Sequence, residues 1–234
     1  MTQSKTYKKE DSLQNYLSKT FFMIAMGVGI SALVAFITSR FLPYIIYRFI
    51  RIIPAASIII AITELGIAFY FSRNLFNMPK NRALLCYILY SVFTGLSLSM
   101  IIMIYAQATV TLAFVATTIM FVCMAVIGYT SNIDYTKIYT LFLPAVIAGL
   151  FITLLNSLIF HSSLIDMSIV YVGLILFLII TAADIQKLRS YYYSAQTDSY
   201  LSERLMILGA FQLYLDFVNL FIRILRIFGR RNKE

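Results

Sequence analysis

Seven apolar runs, each about as long as a helix needs to cross a bilayer, constrain this chain more than any other feature. They lie at about 20 to 39, 53 to 72, 83 to 105, 109 to 129, 138 to 160, 165 to 186 and 208 to 228. A hydrocarbon core about 30 Å thick is crossed by about 20 predominantly apolar residues in a helix. The gaps hold Gly, Pro, Asn and charged residues, as in "SRNLFNMPKNR" and "KLRSYYYSAQTDSYLSER", and none has room for a soluble domain. The chain is 61% hydrophobic and 12% charged, against about 25% charged in a soluble domain. The expected fold is an all-α polytopic membrane protein with seven transmembrane helices.

Composition removes other classes. The net charge of +9 does not form a basic patch interleaved with exposed aromatics, because the Lys and Arg residues fall between apolar runs and at the two ends. No nucleic-acid partner is expected, and the basic residues are read as orientation signals instead. Cys86 and Cys123 both stand within apolar runs at no metal or redox spacing. Residues 1 to 19 are polar and precede a run too long for a signal-peptide core, with no small-residue cleavage site, so this tail is expected to be retained. The organisation is then a cytoplasmic tail at 1–19, one membrane domain at 20–229 and a basic tail at 230–234.

Counting Lys and Arg loop by loop favours a cytoplasmic N-terminus. Arg73, Lys80, Arg82, Lys137, Lys187, Arg189 and Arg204 then fall inside, while the loops after the third and fifth helices carry none. Arg40, Arg48 and Arg51 oppose this, and the tail "GRRNKE" would be outside if the seventh run spans rather than re-enters. The expected location is the plasma (inner) membrane.

Packing signals are weaker. Gly27 with Ser31, and Ala25 with Gly29, are spaced for close helix approach, as are Ser57, Ala61, Glu64 and Ala68 on the second helix. Pro54 suits the first position of the second helix, and Pro144 is expected to kink the fifth. His161 falls at a helix end, where a solvated side chain is the expectation.

The functional argument rests on ionisable residues that no loop accommodates: Glu64, Asp184, Asp216 and Arg223. A charge at the centre of a membrane helix costs about 2.5 kcal/mol or more on insertion scales. At about 100° per residue, Gln212, Asp216, Asn219 and Arg223 fall in a sector about 60° wide. That polar stripe must face protein or water, since lipid satisfies none of it. Asp184 stands near the end of the sixth run, just before the basic "KLR". If the seventh helix began at Arg204, Asp216 would lie about 18 Å below the headgroups and would miss Asp184. Contact between them therefore predicts a seventh helix that starts nearer Gly209.

Two carboxyl groups in contact should hold one proton between them, which makes a pH sensor. The same oxygens form a hard site to which Ca²⁺ could bind, with Asn219, carbonyls or waters completing the shell. Arg223 and Lys187 are alternative charge partners. Against this stands the plainer reading that buried polar residues only join helices, at about 0.6 kcal/mol each. Paired aspartates also raise intramembrane aspartyl proteolysis, but Asp184 stands in "TAAD" and Asp216 in "LYLD" rather than in GxGD, and no other catalytic motif appears. No enzyme and no bound cofactor is expected.

The run "LYLDFVNLFIRILRIFG" at 213 to 229, the "AADIQKL" that ends the preceding helix, and Glu64 in the second helix resemble the transmembrane Bax inhibitor motif family, also called the Bax inhibitor-1 family. The resemblance implies six helices surrounding a central C-terminal seventh, and a pH-sensitive calcium leak. It implies that Asp184 and Asp216 form the proton-sensing pair, that Glu64 lies in the pore region, and that an arginine near the second and third helices, nearest to Arg73 here, takes part in gating. The chain departs from the family in having Ala183 where members usually carry Tyr, and in a longer polar loop before the seventh helix. The leading expectation is a proton-gated leak with calcium ions and protons as its partners in the bilayer. The alternatives are a non-conducting interaction protein acting through residues 1 to 19 or 187 to 204, and cation–proton antiport.

Overall fold

A computed structural model describes residues 2–44, 48, 56–131, 136–196 and 198–231. Among them the elements are α1 (Thr2–Phe41), α2 (Ala56–Asn74), α3 (Lys80–Ile102), α4 (Gln107–Thr130), α5 (Thr136–Leu155), a π-helical turn (Asn156–Phe160), α6 (Ser163–Ser194) and α7 (Ser199–Arg231). Each expected apolar run maps onto one of these helices, and the described residues contain no strand. Among the described residues, five helices are long and apolar enough to cross a membrane: Leu13–Phe41 of α1, α3, α4, α6 and Ser199–Gly229 of α7. Pro54 lies outside the described residues, as does Arg51.

Several boundaries differ from those the sequence suggested. The polar N-terminal residues continue as the first turns of α1. The seventh helix does not start near Gly209 but at Ser199, where the Asp198 carboxylate accepts a hydrogen bond from the Leu201 N–H at 3.0 Å. That cap satisfies an amide which the helix itself leaves free. Gly209 breaks nothing; a Cβ there would meet the Leu188 side chain, so the glycine admits a close neighbour. Pro144 sits inside α5, which continues past it as helix. The π-helical turn ends at His161, exposed, with φ 49° and its N–H donating to the Asn156 carbonyl.

The chain divides into two compact units. The first comprises Met1–Ala106 and Leu188–Tyr214. Its core forms around Tyr87 of α3, which is buried and donates to the Met23 carbonyl of α1 at 2.8 Å. A Cβ on Gly27 would strike the Tyr87 hydroxyl, and one on Gly95 would lie 2.7 Å from Val34 Cβ, so these glycines bring α1 and α3 together. The pairing of Ala25 with Gly29 serves no such purpose, because Gly29 has open space around it. Tyr87, Tyr90, Phe211 and Tyr214 pack edge to face, with Tyr87 and Tyr214 at 5.7 Å.

The second unit comprises Gln107–Lys187 and Leu215–Glu234. Phe217 of α7 packs between Phe114 and Phe121 of α4, at 5.7 Å and 5.6 Å. Gly128 of α4 lies directly on the backbone of Ala182 in α6, two residues before Asp184. The Gln186 side-chain amide donates to the Ser131 carbonyl at 3.3 Å beyond that contact. Through both units α7 is the most enclosed of the five long apolar helices, with 61% of its apolar window buried against 17–33% in the others. A helix hidden to this degree can carry polar groups that lipid would not tolerate.

Candidate functional site

Asp184 and Asp216 both belong to the second unit, and the structure brings them together. The expected depth mismatch assumed that α7 begins at the bilayer surface, and both helices are longer than that assumption allows. α6 is 32 residues long and α7 is 33, or about 50 Å each, well over the hydrocarbon thickness. α6 continues past "KLR" to Ser194, and α7 has already begun at Ser199 when it reaches Asp216.

The two carboxyl groups approach closely enough to interact directly. Both residues are buried, at 7% and 4% exposure, and the Oδ2 atom of Asp216 has no hydrogen-bond partner. Ionised carboxylates only accept, so a hydrogen bond between two of them requires a proton on one. Ala182 and Ala183, just before Asp184 in sequence, form an apolar cluster with Met124. Ala183, where the resemblance leads one to expect Tyr, is 1% exposed.

The other stripe residues meet separate partners. The Arg223 guanidinium does not pair with Asp216, although the two share a helix face. Seven residues of helix separate them by about 10 Å, and Arg223 lies over the Phe177 ring at 4.9 Å instead. A Cβ at Gly173 would run into this guanidinium, so the glycine makes room for it. Asn219 donates its side-chain amide to the Leu215 carbonyl of its own helix at 2.8 Å. Gln212, in the first unit, receives the Tyr191 hydroxyl at a long 3.5 Å. Lys187 stands about one turn beyond Asp184 on α6.

In the first unit, the Ser97 hydroxyl of α3 donates to Glu64 Oε1 of α2 at 2.7 Å. Arg73 is exposed at the end of α2, 6.0 Å from the Phe69 ring. The Ser31 hydroxyl lies 2.6 Å from the Tyr214 hydroxyl and 2.7 Å from the Ser91 carbonyl. This buried knot is absent from the sequence reading, which treated hydroxyl residues as packing. Only the helical phase of Ser31 with Gly27 hinted at it.

Among the described residues no group of three or more His, Cys, Asp or Glu side chains could hold a metal ion. Calcium takes six to eight oxygens. The aspartate pair offers two carboxyl groups, fewer oxygens than that shell needs.

Comparison with known proteins finds similarity over nearly the whole chain. The model of the family described as "Inhibitor of apoptosis-promoting Bax1" matches residues 13–233. An uncharacterized protein of Borreliella burgdorferi is 32% identical, with 97% of each chain covered. An uncharacterized protein of Rickettsia prowazekii is 31% identical over 98% of this chain and 95% of its own. The inner membrane protein YbhL of Escherichia coli is 31% identical over 94% of this chain and 93% of its own.

Proposed function

From the premise that the chain belongs to the Bax inhibitor-1 family and is a multi-pass membrane protein, we propose that it is a pH-sensitive calcium leak gated by Asp184 and Asp216. The observation that carries this reading is the direct approach of two buried carboxyl groups on different membrane helices.

With one proton shared, the pair ties α6 to α7. Loss of that proton leaves two like charges in contact, and at about 4 Å and an effective dielectric near 20 they repel by about 4 kcal/mol. A bias of that size shifts a two-state equilibrium by about a thousand-fold, enough to exchange a closed arrangement for an open one. Protons and calcium ions then compete for the same oxygens. Glu64, Gln212 and Asn219 are the polar groups assigned to the ion path, and the protein acts as a passive conduit rather than as an enzyme. The proposed setting is the inner membrane, where the E. coli relative is named to reside, with a cytoplasmic N-terminus in keeping with the Lys and Arg distribution.

Purified protein in liposomes loaded with a calcium indicator tests the reading. Wild type should pass calcium at a rate that changes with pH without an imposed proton gradient, and Asp216→Asn should flatten that dependence. A flux that requires the gradient would point to antiport. No flux at all would overturn the leak in favour of a non-conducting interaction protein, and deletion of residues 2 to 15 then tests the tail as its binding element.

A further inference from the structure

The seam between α6 and α7 carries a second charged group besides the carboxyl pair. Arg223 stands seven residues beyond Asp216 on α7, and Phe177 stands seven residues before Asp184 on α6. The Arg223 guanidinium lies over that Phe177 ring at 4.9 Å. The two helices therefore run antiparallel in this register, and the two contacts lie about 10 Å apart along one seam. Both belong to the second unit.

Three side chains or their absence fix the guanidinium there. Phe177 supplies a ring face, and Phe142 of α5 braces that ring edge to face at 5.6 Å. Gly173, one turn from Phe177 on α6, leaves the notch that the guanidinium fills. None of these groups compensates its charge. Among the described residues Arg223 forms no ion pair, and its Nε atom has no hydrogen-bond partner. Arg226, three residues further and exposed, adds a like charge. A guanidinium keeps its proton throughout the physiological range, so the seam holds a fixed positive charge. Within the apolar run at 208 to 228, a residue that only packed against Phe177 could be apolar and would avoid the cost of that charge.

We propose that Arg223 is the charge barrier of the leak, holding back cations on their way to the carboxyl pair and divalent cations most. The inference rests on the proposed leak through Asp184 and Asp216. No other charged residue stands between Asp216 and Arg223, so Arg223 is the first fixed charge that an ion at the pair meets along this part of α7. Coulomb energy scales with the charge of the ion, so whatever factor one positive charge imposes on a monovalent cation, it imposes the square of that factor on calcium. At about 10 Å and the dielectric of water, the local concentration falls about two-fold for a monovalent ion and about four-fold for a divalent one, and both factors grow as the effective dielectric falls.

The test uses the full-length protein in liposomes, with calcium and potassium entry read by separate indicators at one pH. Arg223→Gln should raise potassium entry about two-fold or more and calcium entry by the square of the potassium factor. Arg223→Met, which keeps an apolar stem on Phe177, should do the same, and Arg223→Lys should restore the wild-type ratio of calcium to potassium entry. Arg226→Gln removes an exposed charge of the same sign and should raise calcium entry less than Arg223→Gln does. Equal factors for the two ions would overturn the barrier, since a seam that is only wider passes both alike. An equal calcium rise in Arg226→Gln would also overturn it, because the effect would then be net charge. A wild-type leak that varies with pH and is unchanged in Arg223→Gln removes the barrier and leaves the leak standing. A wild type that passes no calcium, beside an Arg223→Gln variant that does, removes the leak and supports the barrier; if neither passes calcium, both fall.

Discussion

The carboxyl group of Asp216 lies against that of Asp184, and its Oδ2 atom has no hydrogen-bond partner. Two carboxyl groups hydrogen-bond only if one holds a proton, which makes a shared proton observable. Infrared difference spectra at neutral pH should show the C=O stretch of a protonated carboxyl in wild type, and the band should be lost or shifted in both Asp184→Asn and Asp216→Asn. A double-mutant cycle on thermal stability with Asp→Ala at both positions should give a coupling of about 0.5–3 kcal/mol. Strict additivity would mean that the two side chains do not meet.

Gly128 makes the tightest approach near that pair. A Cβ there would overlap the Ala182 carbonyl oxygen and come within 3.0 Å of its carbonyl carbon and Cα. These are backbone atoms, which cannot rotate away. Gly128→Ala should therefore push α4 from α6 and cost about 1–3 kcal/mol, in the range for overpacking. Gly29→Ala is the matched control: it meets open space and should leave the melting temperature unchanged.

The number and order of the helices were legible because runs of apolar residues long enough to cross a bilayer leave the chain little choice. The meeting of Asp184 and Asp216 was legible only in part. Their residue types and helical phase pointed to a pair, but the depth argument misplaced the start of α7, because it took contact with Asp184 to require a helix beginning near Gly209. Polar residues form helix readily once the helix extends beyond the hydrocarbon, and the Asp198 cap that starts it is one ordinary side chain. The Arg223 pairing failed for another reason. A helical wheel collapses the axis, so residues two turns apart look adjacent when they are about 10 Å apart. A tertiary feature such as Gly128 against Ala182 leaves no one-dimensional trace, since it depends on what another helix brings.

The Ser31 hydroxyl has one proton and lies nearest the Ser91 carbonyl and the Tyr214 hydroxyl, at 2.7 Å and 2.6 Å. The carbonyl can only accept, so Ser31 donates to it and Tyr214 donates to Ser31. That polarity predicts an asymmetry. Tyr214→Phe leaves Ser31 with its acceptor and should cost about 0.6 kcal/mol, the average for such bonds in membrane helices. Ser31→Ala removes the nearest acceptor of a buried phenol and should cost more, about 1–3 kcal/mol. Equal losses in thermal unfolding would mean that the donor roles are reversed or shared.

Glu64 separates charge from structure most cleanly. Its Oε1 accepts the Ser97 hydroxyl at 2.7 Å between α2 and α3, and Glu64→Gln keeps an acceptor of the same shape while removing the negative charge. Stability should change by about 0.6 kcal/mol or less, since the interhelical bond survives. Calcium flux should respond differently: a fixed negative charge beside an ion path concentrates cations, so its loss should slow entry several-fold. Ser97→Ala reverses the pattern, because it breaks the bond and leaves the charge, so flux should hold while the melting temperature falls. If Glu64→Gln conducts like wild type and melts earlier, Glu64 is a helix-joining residue and lies outside the ion path.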